Sequence, residues 1–214
     1  MAVAASETER LRSCLAKLSP HLNRDEIALT GGVAIELTLA GCGLPGHRDT
    51  IADLDFVARR REAIASSLAE EFLVCHYHMP QAGYPKFLVM VVDPGSRIRV
   101  DIFSDLEGAV QKAKRVVVGD ERLLMLDPDS LLDHKLRTLA KASEANPVDE
   151  KHHRDALALE RLRGRAVPPV PALYLTKDVY STDLAARCPR CEFSRDPAFP
   201  LAPKQRILDL LGYV

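Results

Sequence analysis

Three aspartates have the clearest capacity for chemistry in this 214-residue chain. Asp53 and Asp55 flank Leu54 in the run IADLDFVA at 51–58, and Asp101 lies in RIRVDIF at 97–103. Side chains alternate along a strand, so Asp53 and Asp55 leave the same face, roughly 6–7 Å apart, while Ala52, Leu54 and Phe56 take the other. Two carboxylates that close repel, so either one takes up a proton or a cation sits between them. An all-oxygen donor set of this kind suits Mg²⁺. If the strand of Asp101 lies beside that of Asp53 and Asp55, the three acids could hold two Mg²⁺ ions. That is the clamp for in-line phosphoryl or nucleotidyl displacement, with Asp101 a candidate base for the attacking hydroxyl. A D-x-D pair by itself is ordinarily a solvated strand face. The case here rests on its combination with a third acid and with a glycine turn.

That turn is Gly31-Gly32, set between a strand expected at EIALT (26–30) and a helix expected at GVAIELTLAGCG (32–43). Glycine lets the backbone approach a phosphate closely, and the free N–H groups at a helix start favour anions. A triphosphate could therefore run from the turn to metals held at the acid pair.

The positioning elements read as a mixed α/β chain. SETERLRSCLAKLS opens with Ser6 and Glu9 in capping-box spacing ahead of an amphipathic helix. REAIASSLAEEF (61–72) reads as a helix. FLVCHYH, KFLVMVV and RIRVDIF read as strands separated by the turn-formers MPQAGYP and DPGS. His76 and His78 share a strand face with Val74 in this reading. KRVVVGDERLLML adds a short hairpin. DSLLDHKLRTLAKAS and DEKHHRDALALERLRG then read as helices, followed by the proline-rich connector AVPPVPALYL and a tail. The boundaries fall at 1–125 for a catalytic domain, 126–165 for a helical part and 166–214 for connector and tail.

Composition is ordinary for a globular protein, with 47% hydrophobic and 28% charged residues. A chain of this length buries roughly 70% of its unfolded surface, enough to need no disulfide or metal for its main core. Net charge is −1, so no overall basicity announces a nucleic-acid binder. The N-terminal residues carry charge before any long apolar run, unlike a signal peptide. FLVMVV at 87–92 is too short to span a bilayer. An odd count of five cysteines argues against a secreted disulfide framework. The reading is cytoplasmic, with no membrane partner.

GGVAIEL, GHRDTIADLDFV and RVDIF together resemble the nucleotidyltransferase superfamily, whose signature is a Gly-Gly or Gly-Ser turn, an acid pair and a third acid. The GG-x-A opening and the HR…DLDF run look most like the AbiEii toxin-type nucleotidyltransferases of bacterial toxin–antitoxin systems. The resemblance implies an α/β (α+β) nucleotidyltransferase-like fold, a mixed β-sheet flanked by helices with a helical C-terminal part. It also implies transfer of a nucleoside monophosphate from an NTP, with Mg²⁺ as cofactor, an RNA (tRNA) 3′ end as acceptor and a cognate antitoxin protein as partner. Asp53, Asp55 and Asp101 become metal ligands and catalytic acids, and Gly31 and Gly32 the phosphate turn. Lys135 and Asp155 match a lysine and a later aspartate on the helical part. Arg48, beside His47 in the preceding loop, could reach a phosphate.

Two other acceptor classes stay open: a small hydroxylated molecule and a protein hydroxyl. So does a module that binds nucleotide or RNA without turnover. His134 reads as a helix-surface residue, and His152-His153 point in different directions and make a poor metal pair. Cys188 and Cys191 in CPRC are half of a tetrahedral Zn²⁺ site by spacing. The basic runs QKAKR and ERLRGRA are solvated faces unless an RNA backbone meets them.

Overall fold

The computed structural model describes residues 5–48, 50–51, 53–83, 85–176, 191 and 196–211. Seven strands form one mixed sheet: β1 (Ile27–Thr30), β2 (Asp53–Ala58), β3 (Leu73–His78), β4 (Leu88–Val92), β5 (Arg99–Ser104), β6 (Lys114–Val118) and β7 (Glu121–Met125). Their order across the sheet is β3-β4-β5-β2-β1-β7-β6. β2 pairs parallel with β5, and β1 parallel with β7, while the other pairs are antiparallel. The hairpin rhythm expected around β3, β4 and β5 is an antiparallel meander, as is the β6–β7 hairpin.

Helix α1 (Ala5–Leu18) brings Leu15 and Leu18 to a small cavity shared with Ile27 and Phe56. Leu54 and Phe56, the apolar side of β2, are almost wholly buried. Helix α2 (Gly31–Gly41) buries Val33, Ala34, Ile35 and Leu39, and an apolar helix of this kind belongs inside. The one-turn α3 (Leu68–Glu71) lies ahead of β3. Helices α4 (Pro128–Leu139) and α5 (Glu150–Arg163) pack on each other and on α2. Asp127 caps α4 by accepting from the N–H groups of Asp129 and Ser130, with Pro128 pre-set for the first turn. Asp149 caps α5, and Gly164 closes it in the left-handed region. A two-residue parallel pair joins β8 (Val148–Asp149) to β9 (Leu175–Thr176). The last described element is α6 (Lys204–Leu211).

Two expectations fail here. Residues 61–72 do not form one helix; a 3₁₀ turn at Arg61–Ala63 leads to extended Ile64 and then α3. The backbone of 63–65 is instead claimed by the segment before β1, through Asn23 N–H to Ala63 O and Ala65 N–H to His21 O, both at 2.8 Å. Ala63 and Ile64 are buried there, and tertiary pairing overrides helix propensity. Secondly, β3 carries a bulge between Val74 and His76, whose partners Val91 and Met90 are consecutive. The extra residue, Cys75, turns His76 and His78 to the opposite face from Val74. Among the described residues no helix is long and apolar enough to cross a membrane.

Candidate active site

The register of β2 against β5 makes Asp55 and Asp101 direct partners and sets Asp53 opposite Arg99. Asp53, Asp55 and Asp101 therefore share one sheet face, as the alternation of the two sequences requires once the strands are neighbours. They line a cavity of ≈ 170 Å³ together with Thr30, Gly31, Gly32, Arg48, Lys135 and Lys151.

Thr30 is the partner of Asp55 on β1, so α2 starts at the acid cluster with its N-terminal N–H groups and dipole turned to it. Gly31 has φ +67°, and a Cβ there would lie 1.9 Å from Asp55 Oδ2. A Cβ on Gly32 would lie 2.5 Å from Arg48 Cζ. Gly31 is thus required both by its backbone conformation and by the closeness of Asp55, whereas at Gly32 only the movable end of Arg48 stands in the way. The Thr30 hydroxyl is buried and has no hydrogen-bond partner among the described residues.

Charges in the site are unevenly settled. Arg99 Nη2 donates to Asp53 Oδ2 at 3.1 Å, and Arg99 Nε stands 3.1 Å from Asp101 Oδ1 as an ion pair outside hydrogen-bond geometry. Lys151 Nζ lies 3.6 Å from Asp53 Oδ2. Burial pushes Asp53 upward, but Lys151, Arg99, Arg48 and Lys135 outweigh it and hold the carboxyl below its usual range. Asp55 is raised, first by burial and then by Asp53. Burial pushes Asp101 up to about 7, with Arg99 opposing and Asp55 and Asp53 adding. Burial and the crowding of like charges therefore leave two of the three carboxyls resisting ionisation.

Beneath the cavity lies a second charge cluster, around Asp155. Its carboxylate is 0% exposed. It accepts from Arg48 Nη2 on both oxygens at 2.7 Å, and meets Lys135 Nζ at 2.7 Å and His47 Nε2 at 2.8 Å. Burial raises it, yet His47, Lys135 and Arg48 hold it far below the ordinary carboxylate range. Lys135 is itself buried and also donates to His152 Nδ1 at 3.2 Å. His152 is pushed down to about 3 by burial and by Lys135 and Lys151.

Gly31, Gly32, Arg48, Asp53, Asp55, Asp101 and Lys135 are brought together at the cavity. Asp155 stands behind them, joined to Arg48 and Lys135. His134 is not on an open helix surface: it lines the cavity and stacks on Phe103 with ring centroids 5.9 Å apart. Burial and then Lys135 push it down to about 4. Sequence reasoning passed over Arg99, Lys151, His47 and Thr30. Arg99 precedes Asp101 by two, which already set it on the acid face, and Lys151 precedes Asp155 by one helical turn. Cys188 lies outside the described residues, so the Cys188/Cys191 pair is described only through Cys191.

No family model and no curated protein matches the chain. Among solved structures, it is similar to an antigenic nucleotidyltransferase-like protein from Paracoccidioides brasiliensis, with 19% identity and a TM-score of 0.42 over 79% of this chain and 81% of that one. The antibiotic-resistance factor ANT(2'')-Ia gives 14% identity and a TM-score of 0.48 over 74% and 85%. The lincosamide antibiotic adenylyltransferase LnuA gives 13% identity and 0.41 over 75% and 98%. The likeness is loose, and the functional reading stands on the site's own residues.

Proposed function

We propose that the chain is a Mg²⁺-dependent nucleotidyltransferase, moving a nucleoside monophosphate from an NTP to an acceptor hydroxyl. The observation that carries this is the β2–β5 register, which opposes Asp55 to Asp101 with Asp53 alongside, at the N-terminus of α2 where only glycine fits at residue 31. The donor set fits a hard divalent cation: it is all oxygen, and Asp101 Oδ1 is buried and accepts no hydrogen bond. Asp53, Asp55 and Asp101 would hold the ion. When bound, Mg²⁺ neutralises phosphate charge and acidifies the attacking hydroxyl.

The chain's own residues supply the rest. Gly31, Gly32 and the start of α2 receive the phosphates, with Arg48 and Lys135 as counter-charges. Asp155 is a positioning residue for both cations. The acceptor oxygen attacks the α-phosphorus, the bond from α-phosphorus to the α–β bridging oxygen breaks, and pyrophosphate leaves. The hydroxyl proton passes to Asp101, which stands directly opposite Asp55 on the neighbouring strand. The cavity of ≈ 170 Å³ is smaller than the about 300–1,000 Å³ of sites that enclose a whole small molecule. It takes the reacting end of a ligand and leaves the rest outside.

The acceptor we favour is an RNA (tRNA) 3′ end, with an antitoxin protein as cognate partner; sequence resemblance to the toxin-type enzymes supports both. The test supplies each labelled NTP with Mg²⁺ and total RNA, beside the Asp53→Ala, Asp55→Ala double variant. Label on RNA with the wild type alone is the expected result and names the nucleotide. Label on an added small hydroxylated molecule or on protein instead would transfer the proposal to those acceptors. NTP binding with no transfer to any of them would leave a nucleotide-binding module and sink the enzyme.

A further inference from the structure

Away from the acids, the strand β3 and the tail build a second donor cluster. His76, His78 and Cys191 each offer one nitrogen or sulfur atom, and these atoms all lie within 4.8 Å of one another. Cys191 Sγ is 3.5 Å from His76 Nδ1. Around a tetrahedral zinc, with bonds of about 2.0–2.1 Å to nitrogen and about 2.3 Å to sulfur, a ligating nitrogen and sulfur stand roughly 3.5 Å apart. The two imidazole rings are 5.9 Å apart at an interplanar angle of 85°, so they converge on the space beside the sulfur without stacking. His78 and Cys191 are each 6% exposed.

We infer that His76, His78 and Cys191 form a zinc site. Two imidazoles and a thiolate select Zn²⁺ over the hard oxygen-loving cations suited to the acid cluster. The remaining tetrahedral position is left to water or a further donor. The bulge at Cys75 makes the site. Without it His76 and His78 would take the face of Val74, the face on which Tyr77 now stacks with Phe199 at 5.1 Å.

The site also has a mechanical consequence. Its ligands come from the edge strand of the sheet and from the tail, more than a hundred residues later. The tail is otherwise tied to β3 by Ala202 N–H donating to Val74 O at 2.8 Å and by Tyr77 Oη donating to Asp196 at 2.8 Å. A zinc would tie the tail to the face of β3 opposite the one on which Phe199 stacks on Tyr77. His76 lies in the same cross-strand row as the acids, through Met90 and Asp101 to Asp55. At about 4.8 Å per strand the row sets His76 roughly 10 Å from Asp101. The zinc assignment does not depend on the nucleotidyl-transfer reading.

The test measures metal content of untagged full-length protein purified without chelator, with Mg²⁺ in excess to occupy oxygen sites. The wild type and Asp53→Ala, Asp55→Ala are expected to keep stoichiometric zinc, and Co²⁺ in its place is expected to show a thiolate charge-transfer band. Cys191→Ser should lose that band, and Cys191→Ser and His78→Asn should each retain about tenfold less zinc or less, with circular dichroism unchanged. If Cys191→Ser does not fold, His78→Asn and the cobalt spectrum of the wild type decide. A wild type that binds neither Zn²⁺ nor Co²⁺, or variants that keep both metal and spectrum, would overturn the site. Loss of zinc in the double aspartate variant alone would move the metal to the acids and overturn it equally.

Discussion

Asp155→Asn is the substitution that most directly probes how the site is held. The side chain keeps its shape but loses its charge, and one oxygen becomes an NH₂ donor facing three donors. Arg48 and Lys135 are left as buried cations, 15% and 5% exposed at their side chains, with their shared counter-ion gone. Removing one partner of a buried ion pair destabilises by about 3–5 kcal/mol. That is a large share of the about 5–15 kcal/mol by which a native domain is stable. At about 2–4 °C per kcal/mol for a chain of this size, the expected fall in Tm is roughly 6–20 °C. The control is Asp25→Asn, whose pair with Arg115 is 71% and 73% exposed and should contribute at most about 1 kcal/mol. Differential scanning calorimetry at neutral pH compares the two, and urea unfolding at fixed temperature supplies the free energies. A Tm for Asp155→Asn within the range of the Asp25→Asn control would show that water or a neighbour relieves the cations, and would refute the account of Asp155 as their anchor. The variant should also lose nucleotidyl transfer, since Arg48 and Lys135 would no longer be held at the phosphates.

The acids are expected to behave in the opposite sense. Asp55→Asn removes a carboxyl whose ionisation is disfavoured by burial and by Asp53, so the metal-free protein should gain about 1–2 kcal/mol, as relief of a strained active site does, while transfer and stabilisation by Mg²⁺ are abolished; a Tm below wild type would contradict this. Gly31→Ala must adopt φ +67° and displace Asp55, which should destabilise by about 1–3 kcal/mol and remove activity in the labelling assay; wild-type stability and turnover would show that the turn can relax. His152 has a folded pKa pushed down to about 3 against about 6.5 unfolded, so lowering the pH protonates the unfolded chain first and favours unfolding. The stability of His152→Gln relative to wild type should thus rise by about 1.4 kcal/mol per pH unit below about 6.5, reaching roughly 2 kcal/mol at pH 5. A difference independent of pH from 8 to 5 would refute the depressed histidine.

What the sequence determined by itself is what local rules govern. The two-residue period of a strand put Asp53 and Asp55 on one face and Leu54 and Phe56 on the other, and Leu54 and Phe56 are in the core. The helix expected over DEKHHRDALALERLRG ends at Gly164, which closes it in the left-handed region. Gly31-Gly32 stood out as a turn between a strand and a helix, and Gly31 takes a positive φ there. Tertiary structure decided everything that depends on which distant segments meet. The parallel register that opposes Asp101 to Asp55 could be supposed from the sequence but not read, since pairing across more than forty residues leaves no local period. The anchoring of Lys135 and Arg48 by Asp155 belongs to the packing of α4 and α5 against α2. The helix expected at 61–72 yielded to backbone pairing with residues 21–23. The bulge at Cys75 came from the strand it pairs with. A one-residue slip in a strand reverses every side chain beyond it, and that slip turns His76 and His78 toward Cys191 and the face of the acids.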